Sequence, residues 1–258
     1  MPVIVPSWEN EIELCAAGNR LIAGVDEAGR GAWAGPLVAA AVILPPPGEL
    51  GGLYHAVEVA EALAALRDSK MLSPSKREEL MGLVRSVAVS VGVGVVSSAL
   101  LDVIGVGPGN RLAMTRAVRD LGVRPDYLLL DAFKLPTMPL PQRPIIKGDA
   151  KCISIAAASV VAKVTRDRIM QELDAEHPAY RFARHKGYGT RTHAEALLRE
   201  GVSPVHRRCF APVRAALLGL PWPPRGVESA DEGEDEDGEE RESQSVMEMD
   251  FEEEPLAG

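Results

Sequence analysis

The stretch LIAGVDEAGRGAWAGP, residues 21–36, decides how this chain is read. Its apolar run, residues 21–25, has the composition of a buried strand and ends in two adjacent carboxylates, Asp26 and Glu27. Paired acids at the end of a buried strand cost desolvation and mutual repulsion unless a cation relieves them. A divalent metal is the usual relief. The turn that follows, Gly29-Arg30-Gly31, could offer backbone N–H groups and a guanidinium to something anionic. An N-cap acid before a polar turn accounts for the same letters equally well.

Outward from this stretch, GPLVAAAVIL (35–44) reads as a second strand closed by three prolines, so the two form a hairpin at the centre of a sheet. YLLL (127–130) is another buried strand, and it too ends in an acid, Asp131. A proline-rich loop runs through Pro144, and Asp149 follows in Lys147-Gly148-Asp149-Ala150-Lys151. Strand ends are where sites form in open α/β sheets. Convergent carboxylates without His or Cys select hard cations such as Mg²⁺ or Mn²⁺, and two such ions can drive phosphodiester hydrolysis. Arg30, Lys70, Lys147 and Lys151 would be out of place in a metal buffer and suit a phosphate backbone. Each residue also has a plainer reading: Asp131 as an N-cap, Asp149 as part of a surface charge cluster, Lys70 as a solvated loop residue, Tyr188 as a packing aromatic. Their occurrence together with the opening motif weighs against those.

The remaining elements follow from periodicity and caps. Ser7 caps a short helix, WENEIELCAA, whose Glu9, Glu11 and Glu13 form a solvated face. A short helix is expected at 57–66 and another from Ser73-Pro74, with Leu80, Leu83, Val84 and Val87 on one face; residues 87–96 turn to strand. Helices are expected at 98–104 and 110–121, with GVGPG breaking between them. The run of small residues in 154–174 would let a long helix lie close against the sheet. A turn at 187–189, a helix from Thr190 or Thr192 and a last one at 213–220 complete the ordered part.

The net charge of −9 is unevenly spread. Residues 226–258 hold 15 acids and one arginine, a charge of −14, while residues 1–225 hold 27 basic and 22 acidic residues, +5. A mildly basic body with a disordered acidic tail is a different object from an acidic protein. The tail would compete with phosphates for the basic surface at low salt. Three widely spaced cysteines indicate reduced thiols in the cytosol, and neither a signal peptide nor a membrane-crossing run is present. A Walker-type loop, a dinucleotide fingerprint, a nucleophile elbow and an H-E-x-x-H motif are absent, and the five histidines, without ligand spacing, read as surface or packing residues.

VDEAGRG (25–31), AGPLVAAAVIL (34–44), DSK (68–70), LLLDA (128–132), KGDAK (147–151), SIAAASVVAKVTRD (154–167) and GYGT (187–190) together resemble ribonuclease HII, in that family's order over residues 18–215. The resemblance implies a ribonuclease H-like α/β fold: a central five-stranded mixed sheet flanked by helices, with a helical C-terminal extension. Together with the change in composition, it suggests a catalytic domain, 1–225, and a tail outside the family pattern, 226–258. It implies a cytoplasmic, monomeric endonuclease of ribonucleotide repair and replication. Such an enzyme cleaves RNA in RNA/DNA hybrids and incises 5′ of single ribonucleotides in duplex DNA, leaving 3′-hydroxyl and 5′-phosphate ends. The family's catalytic and metal-binding acids carry over to Asp26, Glu27, Asp131 and Asp149. Its 2′-OH reader carries over to Gly29, Arg30 and Gly31, its sugar-stacking tyrosine to Tyr188, and its phosphate-contacting lysine to Lys70. The chain departs from the family at Gly105-Val106, where an Asn-Ile pair is usual, so that Asn contact is lost. Residues 244–251 faintly resemble a sliding-clamp peptide with one aromatic missing; a solvated charge run is the simpler reading. A nucleic-acid binder without catalysis, or a DNA nuclease or integrase of the same fold, are the rivals.

Overall fold

A computed structural model describes residues 6–46 and 73–220. The expected helix at 57–66, Lys70 and the acidic tail lie outside the described residues. Five strands form one sheet: β1 (Ile22–Ala28), β2 (Leu37–Ile43), β3 (Ser90–Val96), β4 (Tyr127–Asp131) and β5 (Gln142–Ile145). Their order is β3-β2-β1-β4-β5, antiparallel on the β2 side of β1 and parallel on the β4 side. The sheet is therefore mixed, with the opening stretch at its centre. The described helices are α1 (Glu9–Ala16), α2 (Pro74–Val87), α3 (Ser98–Ile104), α4 (Val106–Arg119), α5 (Ile153–Glu176), α6 (Phe182–His185), α7 (Arg191–Glu200) and α8 (Ala211–Leu217).

The small residues of β1 and β2 let helices close on both faces. Ala28, Ala40 and Val42 pack with Ala156–Ala158, Val160, Val161 and the apolar face of α2. Ala23, Val25, Ala39 and Ala41 pack on the other side with Ala113, Met114 and Ala117 of α4. Contact with α5 is close enough that a Cβ on Gly24 would stand 2.1 Å from the Ser154 carbonyl carbon. On β3, a Cβ on Gly94 would stand 2.0 Å from the Ala113 carbonyl oxygen. The glycines of β3, poor helix formers, thus also admit α4.

Four local expectations change. Residues 107–109 do not break a helix: α4 starts at Val106, and Pro108 sits in its first turn, where no backbone donor is needed. Residues 142–144, which read as the end of a proline-rich loop, belong to β5; it is an edge strand, where Pro144 deprives no neighbour of a hydrogen bond. The last helix starts at Ala211, with Pro212 in its first turn, and ends at Leu217. Glu11 is not solvated: it is 3% exposed and its Oε1 accepts from the Ser154 N–H (2.9 Å) and Cys152 Sγ (3.0 Å). The N-cap residue of α5, Cys152, makes no capping bond of its own, so α1 supplies the acceptor from a distance.

Candidate active site

Alternation along β1 puts Asp26 on the same face as Gly24 and Ala28, toward α5, and Glu27 on the face of α4. Asp131 is the last residue of β4, next to β1 in the sheet. One carboxylate oxygen from each of Asp26, Glu27 and Asp131 lies within 4.8 Å of the others. Asp149 stands in the 3₁₀ turn Gly148–Ala150 after β5, and its charge acts on both Asp26 and Glu27. That turn is tied to the cluster, because the Gly148 N–H donates to Asp131 Oδ1 at 2.7 Å. Both junctions are strained: Ala132, after Asp131, and Lys147, before Gly148, have φ of 55°.

The alternation suggests that a regular strand could not aim Asp26 and Glu27 at one metal, so that the chain would have to leave β geometry at Ala28-Gly29 for the turn to aim Glu27. The structure corrects this. β1 stays in register with β2 through Ala28, and both carboxylates still converge. Pairing between β1 and β4 ends at Val25–Leu130, so the β4 flank of β1 is open beyond that point. The longer glutamate side chain can reach round that open flank to the acids on the other face.

Burial, and then the Glu27, Asp131 and Asp149 charges, hold the Asp26 carboxyl well above its usual range. Burial followed by Asp131 raises Glu27 to about 7, opposed by Arg30 and by the Asn110 amide. Asn110 is 2% exposed and faces Glu27 without closing a bond of good geometry; neither of its polar side-chain atoms nor Glu27 Oε2 has a hydrogen-bond partner. Hard oxygen donors, mutual repulsion and an unpartnered carboxylate oxygen fit Mg²⁺ or Mn²⁺. Since Glu27 is raised above its unfolded value, its favourable contribution is present in acid and lost as pH rises through about 7 without a cation. The rise in melting temperature on adding Mg²⁺ should therefore be larger at pH 8 than at pH 6, where a proton competes for Glu27. Differential scanning fluorimetry at both pH values checks this, and equal shifts would refute it.

Gly29 has φ of +86°, and a Cβ there would lie 1.9 Å from Arg166 Nε, so glycine is required twice over. The exposed Arg30 guanidinium sits 4.8 Å from the centre of the Phe133 ring, just past Asp131. Its carbonyl accepts from Arg207 Nη1 at 3.1 Å. Tyr188 is brought to the same region: Trp33 N–H donates to the Gly187 carbonyl at 2.8 Å, and the Tyr188 ring lies 5.2 Å from Arg166 Cζ and 5.6 Å from Lys163 Nζ. Lys151 is half-buried at the end of the Asp149 turn. The structure therefore gathers Asp26, Glu27, Asp131 and Asp149, and links the Gly29–Gly31 turn to that of Tyr188. Asn110, Phe133, Arg166 and Arg207 were not legible as neighbours of the site. Arg166 and Arg207 are fully buried with guanidinium donors on backbone carbonyls, and nothing in sequence separates such arginines from surface cations.

Acids at the ends of neighbouring strands of a mixed sheet, beside basic loops, define a metal-dependent hydrolase of the ribonuclease H class. The family model for ribonuclease HII matches residues 23–213, and the chain belongs to that family. It is similar to ribonuclease HII of Dehalococcoides mccartyi, with 53% identity over 84% of this chain and 98% of the relative. Ribonuclease HII of Geobacillus kaustophilus is 53% identical over 81% of this chain and 77% of the relative. Among solved structures, ribonuclease H2 from Pyrococcus horikoshii superposes with a TM-score of 0.62 at 23% identity, covering 77% of this chain and 97% of that one. The ribonuclease HII in the PCNA complex from Archaeoglobus fulgidus gives 0.58 at 25% identity, covering 74% and 95%. Membership makes the chain a metal-dependent endoribonuclease acting on RNA/DNA hybrids. No described helix is long and apolar enough to cross a membrane.

Proposed function

We propose that the enzyme also incises 5′ of single ribonucleotides embedded in duplex DNA, leaving 3′-hydroxyl and 5′-phosphate ends, through a site for two divalent cations. Asp26, Glu27, Asp131 and Asp149 would hold the ions. When bound, the cations supply an activated water and offset charge on the leaving oxygen. The observation that carries the reading is continuity: one residue separates Glu27 from the Gly29-Arg30-Gly31 turn. A phosphate held at the acids therefore brings its own ribose against that turn. There the 2′-OH is the only group that marks one ribonucleotide among deoxynucleotides, and glycines let backbone amides and carbonyls approach it. Tyr188 lies against the neighbouring deoxyribose, where a second 2′-OH would crowd it. Lys151 and Lys70 contact phosphates.

No disulfide joins the cysteines of the described residues, which suits a reducing cytoplasm. Ribonucleotide removal during repair and replication is the corresponding role. Tail contact with a sliding clamp has less behind it, since residues 244–251 lack one aromatic and the clamp-bound neighbour is only 25% identical.

Three matched duplexes test the reading: one with a single ribonucleotide, one a continuous RNA/DNA hybrid, one all DNA. Cleavage of the first two, none of the third, and loss of all cutting with chelator are expected. Cutting of all-DNA duplex would mean a nuclease of different specificity. Chelator-insensitive binding without product would mean a binding protein.

A further inference from the structure

Three of the five histidines, His185, His193 and His206, are buried together behind the Tyr188 turn, outside the acid cluster. His193 is packed 4.4 Å from the His185 ring and 5.4 Å from Trp33, and His206 lies 4.9 Å from Tyr180. Their hydrogen bonds form a chain whose proton positions the partners dictate. The Ser203 N–H can only donate, and it meets His206 Nδ1 at 3.1 Å, so that nitrogen carries the lone pair; the Ser203 hydroxyl adds a second bond at 2.7 Å. His206 in its neutral form then bears its proton on Nε2, which faces His193 Nε2 at 3.1 Å. At the far end, the Tyr188 carbonyl can only accept, and it meets His193 Nδ1 at 2.8 Å, so His193 is protonated there. The two ends require the same polarity in the middle, with His206 donating to His193. Burial pushes His193 down to about 3 and His206 to about 4, which keeps both neutral at ordinary pH.

The neighbouring peptide is held in the same manner. His185 Nδ1 accepts from the Gly187 N–H at 3.2 Å and its Nε2 donates to the Tyr180 carbonyl at 2.8 Å. One imidazole grips the donor of the Gly187-Tyr188 turn and another its acceptor. The turn needs such support: Lys186 has φ of 49° and Gly187 of 81°.

We propose that His193 and His206 are positioning residues for substrate selection: a one-directional chain of N–H donors, from Ser203 through two imidazoles to the Tyr188 carbonyl, that sets the place of the Tyr188 ring. The inference rests on the reading of Tyr188 as the side chain lying against the sugar next to the ribonucleotide. It assigns the C-terminal helices a part in choosing substrate, because His193 belongs to α7 and His206 to the segment before α8.

Nitrogen-15 NMR of histidine-labelled enzyme reads the tautomers directly, with protons expected on His193 Nδ1 and His206 Nε2. The reverse assignment, or a charged ring at pH 7, would overturn the proposal. His193→Phe keeps a ring in the stack but removes the donor, whereas His193→Asn can present an amide N–H near the Nδ1 position. With Phe, KM on the single-ribonucleotide duplex should rise by about tenfold with kcat little changed, the scale of one lost hydrogen bond. The preference for that duplex over a continuous hybrid should fall by the same factor, and Asn should restore it. Tyr188→Ala serves as reference. If it alters the preference while His193→Phe leaves it unchanged, or lowers both substrates alike, the histidine chain is only structural and the proposal fails. If Tyr188→Ala leaves the preference intact, the reading of Tyr188 itself is wrong and the inference falls with it.

Discussion

Asp131→Asn should give a folded enzyme that no longer cuts either a single-ribonucleotide duplex or a continuous hybrid. The substitution keeps the shape at the end of β4 and leaves an amide oxygen able to accept from the Gly148 N–H that now reaches Asp131 Oδ1. What it removes is a charge from the cluster in which one oxygen of each of three carboxylates lies within 4.8 Å of the others. Cation affinity depends on that charge, and stabilisation of the reacting phosphate depends on the cation. The loss should be several kcal/mol of transition-state stabilisation, roughly three orders of magnitude or more in kcat/KM. Stability should move the other way. Asp131 is the largest charged contributor raising Glu27 and follows Glu27 among those raising Asp26, so its neutralisation relieves both in the metal-free protein. Single-turnover cleavage and thermal melts without metal check the two halves. Incision at the wild-type rate would rule out Asp131 as a metal-holding acid.

Gly24→Ala is expected to be the most damaging single methyl group in the sheet. A Cβ at this position would meet the Ser154 carbonyl carbon at 2.1 Å, its oxygen at 2.3 Å and the Ile155 nitrogen at 2.4 Å. All three are backbone atoms at the start of α5, so no rotamer change can give way. β1 and α5 must part, at a cost of roughly 3 kcal/mol or more by the measure of overpacked cores. The separation falls two residues before Asp26, so surviving folded protein should also bind cation less well. Urea unfolding with the wild type as reference measures the first effect, and a midpoint within error of wild type would show that the two elements slide apart freely.

The central hairpin, the buried strand ending in Asp131 and the long small-residue helix were legible in the chain because each carries a strong local pattern. So were the acids as a group, since an acid closing an apolar run stands out against its surroundings. Boundaries were less so where proline intervened. Pro108 and Pro144 read as breaks, but a proline in the first turn of a helix or on an edge strand interrupts nothing, and only the neighbours show which applies. Glu11 failed for a related reason: its helix looks amphipathic and exposed, and its burial depends on the distant start of α5.

Sequence by itself determined the central hairpin, the acids that close apolar runs and the motifs that carry the family resemblance, because these rest on residue type and short spacing. The mixed sheet was legible only through that resemblance. Only the tertiary structure decided how Asp26 and Glu27, pointing to opposite faces, reach one place: the pairing of β4 with β1 ends at Leu130 and leaves a flank of β1 open. It also decided that Arg166, Arg207 and three histidines lie in the interior, holding loops that are far apart in the chain. The reason is physical. A buried cation or imidazole is defined by the carbonyls and amides around it, and those partners are set by packing, not by adjacent letters.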